Sequence, residues 1–452
     1  MSASTRVPAL APFRVRSFRF QWPADLATSW AFEMELLILG WYVLAETRSV
    51  FMLTVFASLL YIGTLLAPIS GVIGDRIGNR NLLGTMRGLY TALAATLMTL
   101  AFLDSVTPAV VLAIATVLGL VRPSDIGVRA ALVGETMPGD RLMGAMSIQR
   151  TTLDSARIVG ALTGAGLVAT LGMGPAYLVV VSFYAVSCLL TFQVDRARPA
   201  RHRAGIPGGG QRPRGMLASG HAGEAGASTR FPQTAGSAGN ESARPSPWRD
   251  LREGLAYVWN TPHLLGMMCL AFLVNVTAFP LFNSLMPYVA KEVYGADQTV
   301  LGYLVAGGAF GALTGSIALS RYGGAIPAGR AMIVFCAAWY AMLLAFAHTQ
   351  HPASGIPVLL LAGCAQSLGL VPMTALLLRT SDPRLHGRIM GIRMLAIYGN
   401  LPGLLISGPL IASYGYPATA TLYCAIGLVF TLLIAVRWRA HLWRRGALTN
   451  AR

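Results

Sequence analysis

Residues 71–80 read Gly71-Val72-Ile73-Gly74-Asp75-Arg76-Ile77-Gly78-Asn79-Arg80, directly after an apolar run that begins near residue 50. One acid and two arginines in a glycine-punctuated turn are cheap at a membrane surface and costly within hydrocarbon. The stretch therefore marks where a second membrane span ends. The rest of the chain has to be consistent with that placement.

Composition agrees. The chain has 452 residues, of which 54% are hydrophobic and 12% charged, against about 25% charged in soluble domains. Apolar stretches of roughly 18 to 25 residues recur along it, the length a helix needs to cross a bilayer. A spanning β-barrel would instead alternate apolar and polar residues in segments of about ten. The formal net charge of +17 does not point to nucleic acid. The basic residues are nearly all arginine, Lys291 being the one lysine, and they lie in gaps between apolar runs. That is topology information rather than a DNA-binding face. The five cysteines, Cys188, Cys269, Cys336, Cys364 and Cys424, fall within apolar runs and read as small buried hydrophobes. No cysteine or histidine stands at metal spacing and no phosphate-binding loop is present, so neither an enzyme nor a cofactor is expected. The N-terminus resembles a signal peptide, with Arg14, Arg16 and Arg19 ahead of an apolar run. That run contains Asp25, Glu33 and Glu35 and is about 20 residues long, which favours an uncleaved first span.

Twelve spans result, near 23–46, 50–74, 82–104, 107–127, 143–170, 174–194, 263–289, 299–320, 328–348, 354–378, 389–413 and 416–437. Counted loop by loop, arginines alternate through all twelve. One side holds Arg6 to Arg19, Arg76, Arg80, Arg129, Arg141, the 196–252 stretch, Arg321, Arg330, Arg384, Arg388 and the C-terminal arginines, whereas the other holds little besides Arg48 and Lys291. The bias predicts both termini in the cytoplasm, and so a multi-pass protein of the cytoplasmic (inner) membrane with the lipid bilayer as its surroundings. Residues 196–250 are rich in Gly, Ser, Ala, Pro and Arg and read as a disordered basic cytoplasmic linker. It separates 1–195, an N-terminal six-helix bundle, from 251–452, a C-terminal six-helix bundle. Residues 248–260 read as a short interfacial amphipathic helix, with Trp248, Leu251, Leu255, Val258 and Trp259 sharing a face. The two halves are weakly alike: Asp140-Arg141-Leu142-Met143-Gly144 echoes His386-Gly387-Arg388-Ile389-Met390-Gly391, each with a proline just upstream. A duplicated six-span unit is a transporter pattern.

Gly71, Asp75, Arg76, Gly78 and Arg80 fill every specified position of G-x-x-x-D-R-x-G-x-R, and the chain resembles the major facilitator superfamily. Trp41, Thr47, Ser49, Pro68 and Ala131-Leu132-Val133-Gly134-Glu135 look like its efflux branch of siderophore and macrolide exporters, as do Asn275 and Pro287. The resemblance implies an all-α integral membrane fold of twelve transmembrane helices in two pseudo-symmetric six-helix bundles. It also implies that Asp75 caps the start of span eleven near Arg388 and holds the cytoplasmic side shut. Gly315-Ser316-Ile317-Ala318-Leu319-Ser320-Arg321 in the second half has no acid to echo Asp75, and Gly160 is followed by Ala161 where the antiporter motif of the family usually has Pro.

Charges inside spans are costly and usually functional. Glu33 and Glu35 are two residues apart, about 200° around a helix, so one of them faces a central cavity squarely. Glu35 is favoured, for proton coupling or for recognition of a cationic group. In span five Arg150, Asp154 and Arg157 share a face. The first two suggest a local ion pair, and Arg157 is placed to meet an anionic substrate or Glu35. Glycines 160, 164 and 166 in span five and 307, 308, 311 and 315 in span eight are candidates for surfaces that rock against each other. Asn275, Asn283, Gln366 and Asn400 are further candidate cavity residues. The expectation is a monomeric proton-antiporting exporter of an amphipathic small molecule. A proton symporter that imports its solute is the alternative, and a membrane sensor or scaffold the third reading.

Overall fold

The computed structural model describes residues 11–66, 74, 77–195, 247–322, 327–381, 389, 392, 393 and 395–439. Among them every regular element is helical. The first bundle comprises α1 (Arg16–Thr47), α2 (Val50–Leu59, continued by a tight turn over Ile62–Leu66), α3 (Asn79–Phe102), α4 (Pro108–Thr136), α5 (Gly139–Leu171) and α6 (Met173–Thr191). The short helix α7 (Pro247–Asn260) leads into the second bundle. This bundle holds α8 (Pro262–Phe279), α9 (Gln298–Tyr322), α10 (Ala328–Ala347), α11 (Pro352–Thr380), α12 (Asn400–Tyr414) and α13 (Tyr416–Arg437).

The helix starts follow local chemistry. Ser49 caps α2, its hydroxyl accepting from the Met52 amide at 3.4 Å, and Thr107 caps α4 through the Val110 amide at 3.4 Å. Pro108, Pro262, Pro352 and Pro417 occupy first turns, where a missing N–H costs nothing. At 1.5 Å per residue the 32 residues of α1 extend about 48 Å, more than a bilayer core. The expected tail arginines Arg16 and Arg19 are therefore the first turn of α1. Arg129, expected in a loop, is 8% exposed within α4. It is a core residue and not a topology marker.

Among the described residues seven helices are long and apolar enough to span by length and composition alone, namely α4, α6, α8, α9, α10, α11 and α13. Of these, α4 and α6 belong to the first bundle and five to the second. In the first bundle the buried charges are Asp25 and Glu35 on α1, Arg87 on α3, and Asp125 and Arg129 on α4. The apolar outer faces, such as Leu178, Leu189, Val429 and Leu432, are exposed and suited to lipid. On α7 Val258 is buried, whereas Leu255 and Trp259 are exposed.

Within the first bundle α3 packs on α6, and α1 packs on α5 and α6; in the second, α9 and α10 pack on α11. The bundles meet along α5 with α9 and along α2 with α12. The glycines expected at a rocking surface do a different job. Gly160 and Gly164 admit α1 at Trp30, Glu33 and Met34, and Gly307, Gly311 and Gly315 admit α11 at Ile356, Leu360 and Cys364. Both sets close a single bundle, and Gly166 has nothing against it. Contact between the bundles falls instead on Gly302 of α9. A Cβ there would stand 2.6 Å from the Ala165 Cβ of α5. At α12, Gly408 lies against Phe51 and Thr54 of α2. Pro287 packs on Gly40 of α1, 3.4 Å from the position a Cβ would take. All three contacts lie toward the arginine-poor end, where Arg48 and Lys291 are found. A small residue is needed at each because the backbones approach closely there.

Candidate functional site

A cavity of about 330 Å³ lies between the bundles. Its first-bundle wall is made by α1 (Glu33, Leu37, Gly40), α2 and its turn (Leu53, Phe56, Tyr61), α4 (Arg122) and α5 (Arg157). Phe282, Asn283 and Pro287, together with Leu304 and Val305 of α9, close the other side. Among the described residues the second-bundle wall carries no charged side chain. The charged residues among the described lining all come from the first bundle: Glu33, Arg122 and Arg157.

Local breaks in helical geometry place these residues. Pro123 follows Arg122 inside α4 and cannot donate to the carbonyl four residues back. Beyond α8 the chain forms a π-helical turn over Pro280–Ser284, closed by the Leu285 amide to the Pro280 carbonyl at 3.1 Å. Two prolines seven residues apart, Pro280 and Pro287, remove donors from the α-helical ladder and permit this wider turn. π-Turns are rare and frequently functional; here the turn carries Phe282 and Asn283 to the cavity.

Arg122 stacks on Phe32, and its Nη2 lies 3.9 Å from Glu33 Oε1. That separation is Coulombic contact without a hydrogen bond. The buried Arg122 Nη1 has no hydrogen-bond partner. Arg157 donates through Nη2 to Asn283 Oδ1, a bond that crosses from the first bundle to the second at the cavity. Glu35 lies away from the cavity. It is 2% exposed, and its Oε2 accepts from the Tyr184 hydroxyl of α6 at 2.8 Å. The structure thus puts Glu33 at the cavity and Glu35 behind its wall, so Arg157 meets Asn283 and not Glu35. Arg150 and Asp154 form the expected local pair at 3.3 Å, with Arg150 mostly exposed. Asn275 and Asn400 bond to each other at 3.0 Å within the second bundle, and neither they nor Gln366 line the cavity.

A second polar cluster sits deeper in the first bundle, toward the arginine-rich end. Asp25 of α1 pairs with Arg87 of α3, accepts from Gln149 Nε2 of α5 at 3.0 Å and lies 3.8 Å from Arg129 Nε. Arg129 is held by Asp125 at 2.5 Å, i to i+4 along α4, and donates to Ser29 at 3.0 Å. The cluster joins four helices and balances two carboxylates with two guanidiniums, which is what burial of charge requires. From sequence, Arg87, Arg122 and Asp125 are not singled out, and Arg129 is assigned to a loop. The available signal was the pair Arg122 and Asp125 inside the predicted span 107–127, with Arg129 one turn beyond Asp125.

Of the signature, Gly71, Asp75 and Arg76 lie outside the described residues, as does Arg388, the expected neighbour of Asp75. Gly78 has φ of +85°, a conformation open to glycine. Asn79 donates to Glu135 at the end of α4 at 2.6 Å, and Arg80 reaches the Phe192 carbonyl beyond α6. The described part of the signature is therefore tied to its own bundle. Most of the expected linker, residues 196–246, also lies outside the described residues.

A family model described as Major Facilitator Superfamily matches residues 26–403. The chain belongs to the major facilitator superfamily. No curated protein matches it in sequence. Solved structures share its fold at low identity. The nucleoside transporter NupG superposes with a TM-score of 0.66 at 14% identity, over 94% of this chain and 99% of that one. An auto-inhibited POT family peptide transporter gives 0.67 at 14%, over 97% and 98%. A bacterial homologue of the human lysosomal transporter Spinster, inward-facing and unoccupied, gives 0.66 at 12%, over 95% and 99%. These likenesses establish the twelve-helix fold of two bundles, and with the family they support membrane transport.

Proposed function

We propose that the chain is a proton-coupled secondary transporter of an amphipathic small molecule, working as a monomer by alternating access. The observation that carries this reading is the cavity at the bundle interface, apolar on most sides, with Glu33 as its single carboxylate beside Arg122. A transporter of this kind needs an ionisable group where cargo binds, and Glu33 is the carboxylate that lines the cavity.

The sign of coupling sets the direction. Export by antiport, expected from the resemblance of the first half to efflux proteins, requires cargo and proton to compete. Symport requires them to bind together. Two guanidiniums against one carboxylate favour the symport reading, since protonating Glu33 leaves the site more positive and more attractive to negative cargo. In the cytoplasmic membrane, with the termini inside, inward proton flow then drives uptake.

Reconstituted vesicles with an imposed pH gradient decide between the two. Cargo moving in the direction of the protons supports symport, and cargo moving against them supports antiport. Cargo flux that ignores the gradient overturns proton coupling.

A further inference from the structure

We infer that the cargo is an amphipathic organic anion, and that its negative group displaces Asn283 from Arg157, releasing a bond between the bundles as it binds. The inference rests on the transport reading above and names its substrate class.

Charge comes first. Glu33, Arg122 and Arg157 line the cavity, and the facing second-bundle residues, Asn283 and Ser284 among them, are neutral. The site is thus singly positive with Glu33 ionised and doubly positive with it protonated. Tyr61 is the further titratable group on the wall. A cation entering this space meets two guanidiniums and one acid already set beside Arg122.

Donor capacity comes second. A guanidinium has five N–H groups in a fork that suits a carboxylate, phosphate or sulfonate. Arg122 spends little of that capacity: Glu33 lies beyond hydrogen-bond distance and the buried Nη1 is unpartnered. Arg157 spends part of it on the amide oxygen of Asn283. A neutral amide is the weaker acceptor for a guanidinium, and an anion is the stronger. Exchange of one for the other is favourable, and it removes a polar tie between α5 and the second bundle. The remaining walls, Leu37, Leu53, Phe56, Leu304 and Val305, suit an apolar body attached to the charged group.

The test is a fluorescence titration of the purified full chain with three matched probes: a dansylated medium-chain carboxylate, the corresponding alkylamine, and the neutral amide. The carboxylate is expected to bind most tightly of the three. Arg157→Gln is expected to weaken the carboxylate at least about tenfold, the worth of a charge-assisted hydrogen bond, while leaving the amide unchanged. Asn283→Ala removes the competing acceptor and is expected to tighten the carboxylate by about three- to tenfold, which a purely structural role for Asn283 does not give. The inference is overturned if the amine binds as well as the carboxylate, if no carboxylate binding occurs, or if Arg157→Gln leaves the carboxylate affinity as it was. Unchanged affinity in Asn283→Ala overturns the exchange. Binding needs no gradient, so its failure is distinct from failure of proton-coupled transport in vesicles.

Discussion

Asp25→Asn tests whether the buried ion cluster holds the first bundle together. Asp25 pairs with Arg87, accepts from Gln149 at 3.0 Å and stands 3.8 Å from Arg129, while Arg87 is 0% exposed. The wild-type cluster of Asp25, Asp125, Arg87 and Arg129 is neutral. Asparagine preserves the shape and part of the hydrogen bonding but leaves one uncompensated positive charge among largely buried side chains. Breaking a buried pair from one side costs about 3–5 kcal/mol. At about 2–4 °C per kcal/mol for a unit of 150–250 residues, unfolding should drop by roughly 6–20 °C. The assay is thermal unfolding of the purified chain in a neutral detergent. Arg87→Gln alone should cost a similar amount. The double variant Asp25→Asn, Arg87→Gln restores neutrality and should recover at least about 1 kcal/mol relative to the sum of the singles. A single variant within about 2 °C of wild type, or strict additivity in the double, refutes the reasoning.

Glu33→Gln should make transport in vesicles indifferent to pH, and Glu35→Gln should leave its pH dependence in place because Glu35 is behind the cavity wall. Loss of pH dependence in the second variant alone would reverse the assignment. Gly302→Val forces a side chain against Ala165 at the arginine-poor end. Overpacking of about 1–3 kcal/mol disfavours closure there by about 5- to 150-fold. Labelling of a cysteine introduced at Leu304 by an impermeant thiol reagent, in a background without other cysteines, should therefore rise; unchanged labelling would show that this contact is not a gate. Asp75→Asn should lower transport with expression intact, since the signature acid is expected to stabilise a helix start across the interface by about 0.3–1 kcal/mol or somewhat more when buried. Wild-type transport in that variant removes the gating role.

Much of the architecture was legible because a bilayer imposes simple rules. The twelve apolar runs follow from the cost of placing charge in hydrocarbon. The local pair Arg150–Asp154 was legible because it depends only on helix periodicity. Arg129 was misplaced for an equally physical reason. A sequence window counts an arginine as a loop marker, whereas Asp125 one turn away and Asp25 on another helix make its burial affordable.

Other properties required the assembled bundles. The sequence established that Glu33 and Glu35 point in different directions, but not which of them faces the cavity. That choice is set by the rotation of α1, fixed where Gly160 and Gly164 let α5 press on Trp30, Glu33 and Met34. The same holds for the glycines, whose small size was plain while their partners were not, and for Arg157, whose acceptor Asn283 is 126 residues away on the opposite bundle. Periodicity and hydropathy act along a single helix and so survive in the linear sequence. Rotation, pairing across helices and charge balance in a cavity depend on which surfaces meet, and packing alone decides that.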